Sequence, residues 1–388
     1  MKRSQSRFLT SHVGSIVRPP TLLEAAETAK DDSAHQAAYE QELTADVVGV
    51  VKAQIDAGLD VVNDGEYGKP NWAAYVLDRI SGFEIRPDQL KLAEWFGREP
   101  TLFPGFFRDN NMVGATVGFP AEVCVGPIKY VDDTLIRRDV QNMKAAAEDP
   151  VIKESGVELF FTSVAPASTA YSGVNEYYKT DEEYIFAIAE ALREEYKIIH
   201  EAGLVLQVDD AVFANMYDHL NEQGPEVWDR WANLRVEALN HALSGIPQDR
   251  VRYHICYGSW HVPHATDAPL TALLPYMLKV NVGAYAIESA NPRHEHEWDV
   301  WETTKLPDDK ILIPGVVTHH TLTVEHPEVV ARRIERFAKV LGRERVIAGT
   351  DCGFAQGAKI PRVHPEVMWA KFRTLAEGAR IASSRAWP

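Results

Sequence analysis

Apolar residues along the chain occur in short, continuous runs rather than in strict alternation. Such runs are typical of strands that are buried on both faces, as in a parallel sheet. Most of the runs follow a stretch with apolar residues at helical spacing and end in a polar tip. The unit at 36–66 shows this order clearly, with a helical stretch, Gly58, and then the run LDVVNDGE. The pattern indicates repeated helix–strand units.

Eight strands and six helical stretches can be predicted from this pattern. The predicted strands are Phe8–Val13, Leu59–Val62, Leu159–Val164, Leu204–Asp210, Arg252–Tyr257, Ala284–Ser289, Leu312–Val317 and Val346–Cys352. The predicted helices span 36–57, 181–202, 225–243, 267–278, 326–341 and 364–380. This alternation predicts an α/β fold of the (β/α)8 TIM-barrel type, as a single catalytic domain over 1–388. An open doubly wound sheet is the alternative, but no Gly-x-Gly-x-x-Gly motif follows the first strand.

The region 84–150, between the second and third strands, does not fit the repeat. It contains five aromatic residues close together: Trp95, Phe96, Phe103, Phe106 and Phe107. Alternating stretches follow near 113–118 and 121–130. We predict an inserted β-hairpin or flap within the barrel, which covers the barrel mouth or contacts a second subunit. A homo-oligomer is therefore left open.

Composition narrows the range of partners. The formal charge of −16 argues against nucleic acid or an anionic membrane, because both require basic surfaces. No apolar run approaches the roughly 20 residues of a membrane span, and the first residues carry no apolar signal core. Three widely spaced cysteines do not suggest a disulfide framework. We therefore expect a cytoplasmic protein that acts on small molecules.

Two polar regions have ordinary interpretations. The acidic helix at 181–201 is interpreted as a solvated outer face. The histidines His261, His264, His294 and His296 are interpreted as solvated loop residues.

Chemically active side chains concentrate at the predicted strand ends, where barrel enzymes carry their active sites. His254 and Cys256 alternate along one strand, so they point to the same side. Glu288 and Cys352 end two further strands that surround the same mouth. Imidazole with two thiolates selects Zn2+ over magnesium or calcium. A glutamate ligand is easily displaced, which favours catalysis; a structural zinc site in a binding protein is the alternative.

Short motifs extend this interpretation along the chain. They are TSHVGS at 10–15, DGE at 64–66, QVDD at 207–210, HICYG at 254–258, AIES at 286–289, PGVV at 314–317 and TDCGF at 350–354. In this order and over nearly the whole chain, they resemble the catalytic C-terminal barrel of cobalamin-independent methionine synthase and its stand-alone relatives.

The resemblance implies roles for individual residues. It implies zinc at His254, Cys256, Glu288 and Cys352. It also implies that Glu66 and Asp209 bind the ammonium group of an amino-acid thiol and that the backbone near Ser15 binds its carboxylate. His320 falls where the family has a histidine that handles a proton during transfer, and the adjacent His319 is the alternative.

The function implied is zinc-dependent transfer of a methyl group from a small donor, folate-type or other, to a thiol such as homocysteine. This is a step of methionine biosynthesis that proceeds through a zinc-bound thiolate. The chain departs from the synthases after DGE, where it has Tyr67–Trp72, and at Asp210, where they have glutamate. It also has Thr318 in place of an aspartate before His320. These changes fall in the substrate pockets, so alkylation of another thiol, such as epoxide opening by coenzyme M, is the alternative.

Overall fold

Eight parallel strands form one barrel in the computed structural model, which describes residues 1–30, 33–110 and 119–388. The strands are β1 Leu9–Thr10, β2 Val61–Val62, β3 Glu158–Val164, β4 Val205–Asp210, β5 Val251–Ile255, β6 Ala284–Ile287, β7 Ile311–Val317 and β8 Ile347–Thr350. Each strand pairs in parallel with its neighbours in the order β1-β8-β7-β6-β5-β4-β3-β2. A parallel bridge between Ser11 and Val61 joins β1 to β2. The predicted TIM barrel is confirmed, and the open sheet is excluded.

Helices surround the sheet, and each of the six predicted stretches closely matches one of them. The described α-helices are Pro20–Thr28, Ser33–Asp56, Glu99–Leu102, Pro104–Asp109, Thr134–Glu148, Pro150–Ser155, Pro166–Ser172, Asp181–Glu201, Val212–Asn221, Pro225–Ala242, Leu270–Met277, Pro327–Leu341 and Pro365–Ala386. Short 3-10 helices lie at Ala74–Asp78, Glu94–Phe96, Gln248–Arg250, Glu295–Glu302 and Arg343–Arg345. Within the described ranges, no helix has both the length and the apolarity to cross a membrane.

The central strands are buried along their whole length, as their continuous apolar sequence predicts. Every residue of β4, β5 and β6 is buried. A small apolar cluster that includes Ala286, Ile313 and Ile347 lies on β6, β7 and β8, while a much larger cluster joins the sheet to the outer helices. Both faces of the sheet are therefore covered, and Gln207 and Arg252 are polar exceptions buried within the strands.

The region between β2 and β3 contains additional strands. Phe83–Lys91 pairs antiparallel with Phe119–Cys124, and Gly173–Asn175 joins the latter in parallel. Helix Thr134–Glu148 packs on Ser33–Asp56 in the outer layer. The predicted stretch near 113–118 lies outside the described residues. The bounds of the insertion, its flap over the mouth and its role in a subunit contact stay predictions.

Helix Asp181–Glu201 is not solvated on every side, because Glu195 is fully buried. Its carboxylate lies 2.9 Å from Nη1 of Arg79 and accepts hydrogen bonds from Tyr75, Ser163 and Tyr130. Burial raises the pKa of Glu195, but the Arg79 charge and the hydrogen bonds outweigh it and leave that pKa below the ordinary value. The interpretation of this helix as a purely outer face was wrong at this position.

We expect Glu195→Ala to lower the free energy of unfolding by about 3–5 kcal/mol, because it removes the closer carboxylate partner of the buried Arg79 and leaves only Asp139, at 3.5 Å. The contribution of Glu195 is present above the pKa of an unfolded glutamate and is lost as the pH falls through the lower folded-state pKa. Urea unfolding at neutral and acidic pH measures both effects. The exposed Glu194, paired with Lys197, gives the control Glu194→Ala, with a change within about 0.5 kcal/mol. Equal effects of the two variants would contradict this account.

Candidate active site

Three of the predicted metal ligands meet at the carboxyl end of the barrel. His254 lies on β5, Cys256 follows β5, and Cys352 follows β8. Their donor atoms all lie within 4.8 Å of one another, and the two Sγ atoms are 3.5 Å apart. All three side chains are buried. Residues far apart in sequence thus form one compact set of sulfur and nitrogen donors.

The orientation of His254 suits a metal ligand. Its Nδ1 lies 3.3 Å from the carbonyl oxygen of Ala286. With the proton on Nδ1, that nitrogen donates to the carbonyl and the lone pair of Nε2 is free. Nε2 is buried and has no hydrogen-bond partner among the described residues. A buried imidazole nitrogen held in this way beside two thiols fits the donor set that zinc prefers.

Glu288, the fourth predicted ligand, lies beside this trio rather than within it. Its Oε1 accepts the backbone N–H of Tyr257 at 3.0 Å, and its Oε2 accepts from Asn291 Nδ2 at 3.1 Å. Its donor atoms group with those of His319 and Asp351, again within 4.8 Å. Burial, together with the charges of Asp351 and Cys352, raises the pKa of Glu288 well above the ordinary value.

Asp351 connects the ends of β6 and β8. Its Oδ1 accepts the backbone N–H groups of Ser289 and Ala290, each at 2.8 Å. Burial raises the pKa of Asp351 to about 6, although these hydrogen bonds oppose the shift. The carboxylate therefore fixes the backbone that directly follows Glu288.

The residues predicted to bind the thiol substrate share one pocket with the sulfur and nitrogen donors. The lining of this pocket comprises Val13, Ser15, Glu66, Trp72, Asp209, Ala211, His254, Cys256, Cys352, Gly353 and Gln356. Glu66 has φ = 60°, unusual for a residue other than glycine, and its Oε1 accepts from Thr162 Oγ1 at 2.9 Å. Gln207 donates to Asp209 at 2.7 Å. Burial raises the pKa of Asp209 to about 8.

The two adjacent histidines have different positions. His319 is fully buried and contributes a donor atom to the group of Glu288 and Asp351. The ring of His320 lies 4.0 Å from that of His319 and 5.2 Å from that of His264. Burial lowers the pKa of both, that of His319 to about 4, so both rings are uncharged at neutral pH. The structure thus brings His319 into the donor group, and the role of His320 stays a prediction.

A buried network of histidines and carboxylates supports the loops around the site. Asp267 lies 3.0 Å from Nε2 of His294 and 3.1 Å from Nδ1 of His264. Nδ1 of His294 lies 2.9 Å from Glu297, and its ring stacks on Tyr257 at 3.8 Å. Burial lowers the pKa of His294, but the two carboxylates outweigh it and raise that pKa to about 9.

The interpretation of His264 and His294 as solvated residues was therefore wrong. Each histidine has a carboxylate three residues further along the chain, and these spacings were the available signal. The contact between His294 and Asp267 joins two different loops, so spacing alone does not predict it.

The closed parallel barrel, with thiols, imidazoles and carboxylates gathered at one mouth, has the architecture of a TIM-barrel enzyme. Comparison with known families agrees with this class. Residues 121–370 match the family model for the catalytic domain of cobalamin-independent synthases. The chain belongs to this family, which confirms the resemblance found in its motifs and supports a methyltransferase enzyme.

Individual relatives are similar along most of their length. The methionine synthase of Thermococcus kodakarensis is 25% identical over 347 residues, which cover 89% of this chain and 86% of that protein. That of Sulfurisphaera tokodaii is 24% identical over 373 residues, 96% of this chain and 91% of that protein. The solved structure of a B12-independent methionine synthase from Shewanella sp. W3-18-1, in complex with selenomethionine, has a TM-score of 0.71 at 18% identity and covers 98% of this chain and 99% of that chain.

The close approach of Gly353 to Ser15 can be tested by mutation. A Cβ at Gly353 would lie 2.2 Å from Ser15 Oγ and 3.2 Å from Ser15 N. Ser15 also accepts the backbone N–H groups of Phe354 and Ala355. We expect Gly353→Ala to lower the free energy of unfolding by about 1–3 kcal/mol through overpacking, measured by urea denaturation.

Gly49 provides the matched control, because it lies in a helix and a Cβ there would have no neighbour within 4 Å. We expect Gly49→Ala to stabilise the protein by about 0.5–1 kcal/mol. If Gly353→Ala were as stable as the wild type, the close approach of Gly353 to Ser15 would not be required for folding.

Proposed function

We propose that the chain transfers a methyl group from a small donor to the thiol of homocysteine, with the thiol held at a zinc ion. His254, Cys256, Glu288 and Cys352 would hold the metal. The observation that carries the proposal is the convergence of two thiols and one free imidazole nitrogen within 4.8 Å. Membership in the cobalamin-independent synthase family supports the same reaction class.

Zinc, when bound, supplies a Lewis acid that keeps a substrate thiol deprotonated at neutral pH. The surrounding residues prepare the ligands. The carbonyl of Ala286 orients His254 through Nδ1, and the backbone N–H of Gly258 donates to the sulfur of Cys256 at 3.2 Å. Glu288 has two hydrogen-bond donors of its own in Tyr257 and Asn291. Tyr257 and Asn291 stabilise the Glu288 carboxylate when it does not bind the metal. This arrangement suits a metal ligand that the substrate can displace.

In this proposal, Glu66 and Asp209 bind the ammonium group of the amino acid, and the backbone near Ser15 binds its carboxylate. All three residues line the same pocket as the thiols. Thr162 orients Glu66, and Gln207 orients Asp209, through the hydrogen bonds given above. The selenomethionine complex of the Shewanella relative supports an amino-acid ligand in this fold.

The donor atom that loses the methyl group must take up a proton. His320 handles it in this proposal, and His319 is the alternative. Because both rings are uncharged at neutral pH, the histidine would first take up the proton that the homocysteine thiol loses and then pass it to the donor atom. Both rings have buried nitrogens without hydrogen-bond partners among the described residues. The thiols, His254 and His319 are buried, which strengthens the electrostatic contacts among them.

We expect purified wild-type protein to contain close to one zinc ion per chain and Cys256→Ser to lose most of it, because the variant removes a thiolate ligand. Mass spectrometry of metal content after dialysis is the measurement. Cys124 lies on the strand Phe119–Cys124 and has no place in the donor group. Cys124→Ser is therefore the matched control and should retain the metal. A wild-type protein that binds no zinc, or equal zinc in the two variants, would contradict the proposed centre.

We expect homocysteine to bind more tightly than 4-mercaptobutyrate, which has the same thiol and carboxylate but lacks the amino group. Asp209→Asn should weaken homocysteine binding about tenfold or more, through loss of a charge-assisted hydrogen bond. Binding of 4-mercaptobutyrate should not change. Isothermal titration calorimetry on the zinc-loaded protein measures both affinities. A preference for 2-mercaptoethanesulfonate, a thiol without an amino group, would instead favour the coenzyme M alternative.

A further inference from the structure

Arg362 is a cation near the barrel mouth that forms no ion pair with an aspartate or glutamate among the described residues; the charged groups that act on it are Cys352 and Cys256. It follows the antiparallel hairpin of Ala355–Gly357 and Ile360–Pro361, which comes shortly after Cys352. Its Nε and Nη2 are buried and donate no hydrogen bond to any residue of 1–30, 33–110 or 119–388. The guanidinium carbon lies 5.6 Å from the ring centroid of Trp260.

Other buried arginines of the barrel are paired differently. Nη1 of Arg79 donates to Glu195 at 2.9 Å, and Nη1 of Arg252 donates to Ser11 Oγ at 2.8 Å. Nη2 of Arg18 donates to the carbonyl oxygen of Lys69 at 2.8 Å. Each of these side chains has an evident structural acceptor. Arg362 is half-buried, and its two buried nitrogens have no such acceptor among the described residues. Leaving these atoms unpaired is costly, so Arg362 is better suited to bind a ligand than to stabilise the fold.

The surroundings of Arg362 favour an anion. Burial lowers the pKa of Arg362, while the charges of Cys352 and Cys256 oppose that shift. Burial lowers the pKa of His319 and His320, and the Arg362 charge adds to this effect, so both rings are uncharged at neutral pH. Both ring nitrogens of His319 and Nε2 of His320 are also buried without partners among the described residues. This side of the mouth therefore combines a permanent positive charge with additional nitrogen atoms that can donate hydrogen bonds.

Arg362 is close to a residue of a second pocket, Trp260. Trp260 lines the neighbouring aromatic pocket together with Trp95, on which it stacks at 5.9 Å. Arg362 is not among the residues that line the pocket of Ser15 and Asp209. In the proposed function, the carboxylate of the amino acid lies near Ser15. An anion at Arg362 therefore belongs to the other substrate.

We propose that Arg362, supported by Trp260, binds an oxyanion on the substrate that carries the methyl group. This inference rests on the proposed function. The planar guanidinium can donate two parallel hydrogen bonds to a carboxylate, and phosphate and sulfonate share the required oxygen geometry. The aromatic ring beneath it holds the guanidinium plane in place. The methyl donor is thus an anionic molecule that reaches the thiols from the Trp260 side.

Glutarate, a dicarboxylate without a thiol, is a suitable probe. We expect it to bind the zinc-loaded wild type, to change the tryptophan fluorescence through Trp260, and to bind equally well when homocysteine is saturating. Arg362→Ala should weaken glutarate binding about tenfold or more, and Arg362→Lys should retain part of it. Trp260→Phe should remove the fluorescence change, while calorimetry still detects glutarate.

Arg336 gives a matched control, because its guanidinium lies 6.0 Å from the ring of Trp298 and is paired with Glu295. Arg336→Ala should leave glutarate binding unchanged. The thermal midpoint of Arg362→Ala should not fall, since the variant removes a half-buried cation whose two buried nitrogens have no partner among the described residues.

Three results would overturn the proposal. Glutarate could fail to bind the wild type, it could bind Arg362→Ala equally well, or homocysteine could displace it, which would assign the anion to the thiol substrate. Calorimetry with homocysteine alone keeps the two proposals separate. If homocysteine does not bind the wild type, the proposed function fails, whereas the glutarate titration still decides whether Arg362 binds an anion.

Discussion

The mouth of the barrel buries more polar atoms than the described parts of the protein pair with one another. Nitrogens of His254, His319, His320 and Arg362 and one oxygen of Asp351 are buried without partners among them. Leaving such an atom unpaired costs about 1–3 kcal/mol. Several of them at one strand end are consistent with a site that is completed by ligands, as active sites commonly are.

The surrounding framework compensates for this arrangement with well-paired polar groups. Asp267 and Glu297 bind His294 from both sides, and that ring stacks on Tyr257, next to Cys256. Asp351 fixes the backbone after Glu288. The unpaired atoms therefore lie beside residues that make several hydrogen bonds or ring contacts of their own, which keeps the donor atoms in place before any ligand binds.

Much of the fold was predictable because strands buried on both faces leave continuous apolar runs in the sequence. The convergence of His254, Cys256 and Cys352 followed from strand alternation and barrel closure. The orientation of Glu288 did not, because it depends on hydrogen bonds from Tyr257 and Asn291 that arise only in the folded loop. Helix Thr134–Glu148 was missed because the region was assigned to the insertion. The position of Arg362 was not predicted, because a sequence does not show which arginine nitrogens will lack a hydrogen-bond partner in the fold.

The position of Cys352 has a consequence for the order of folding. The residue follows β8, the last strand of the barrel, which lies between β1 and β7. Cys256 is 96 residues earlier, so the two sulfur atoms meet only when β5 and β8 are both in place in the curved sheet. A ligand that needs both sulfurs therefore binds the barrel only after β8 has joined it. By mass action, such a ligand would stabilise the folded barrel increasingly as its concentration rises.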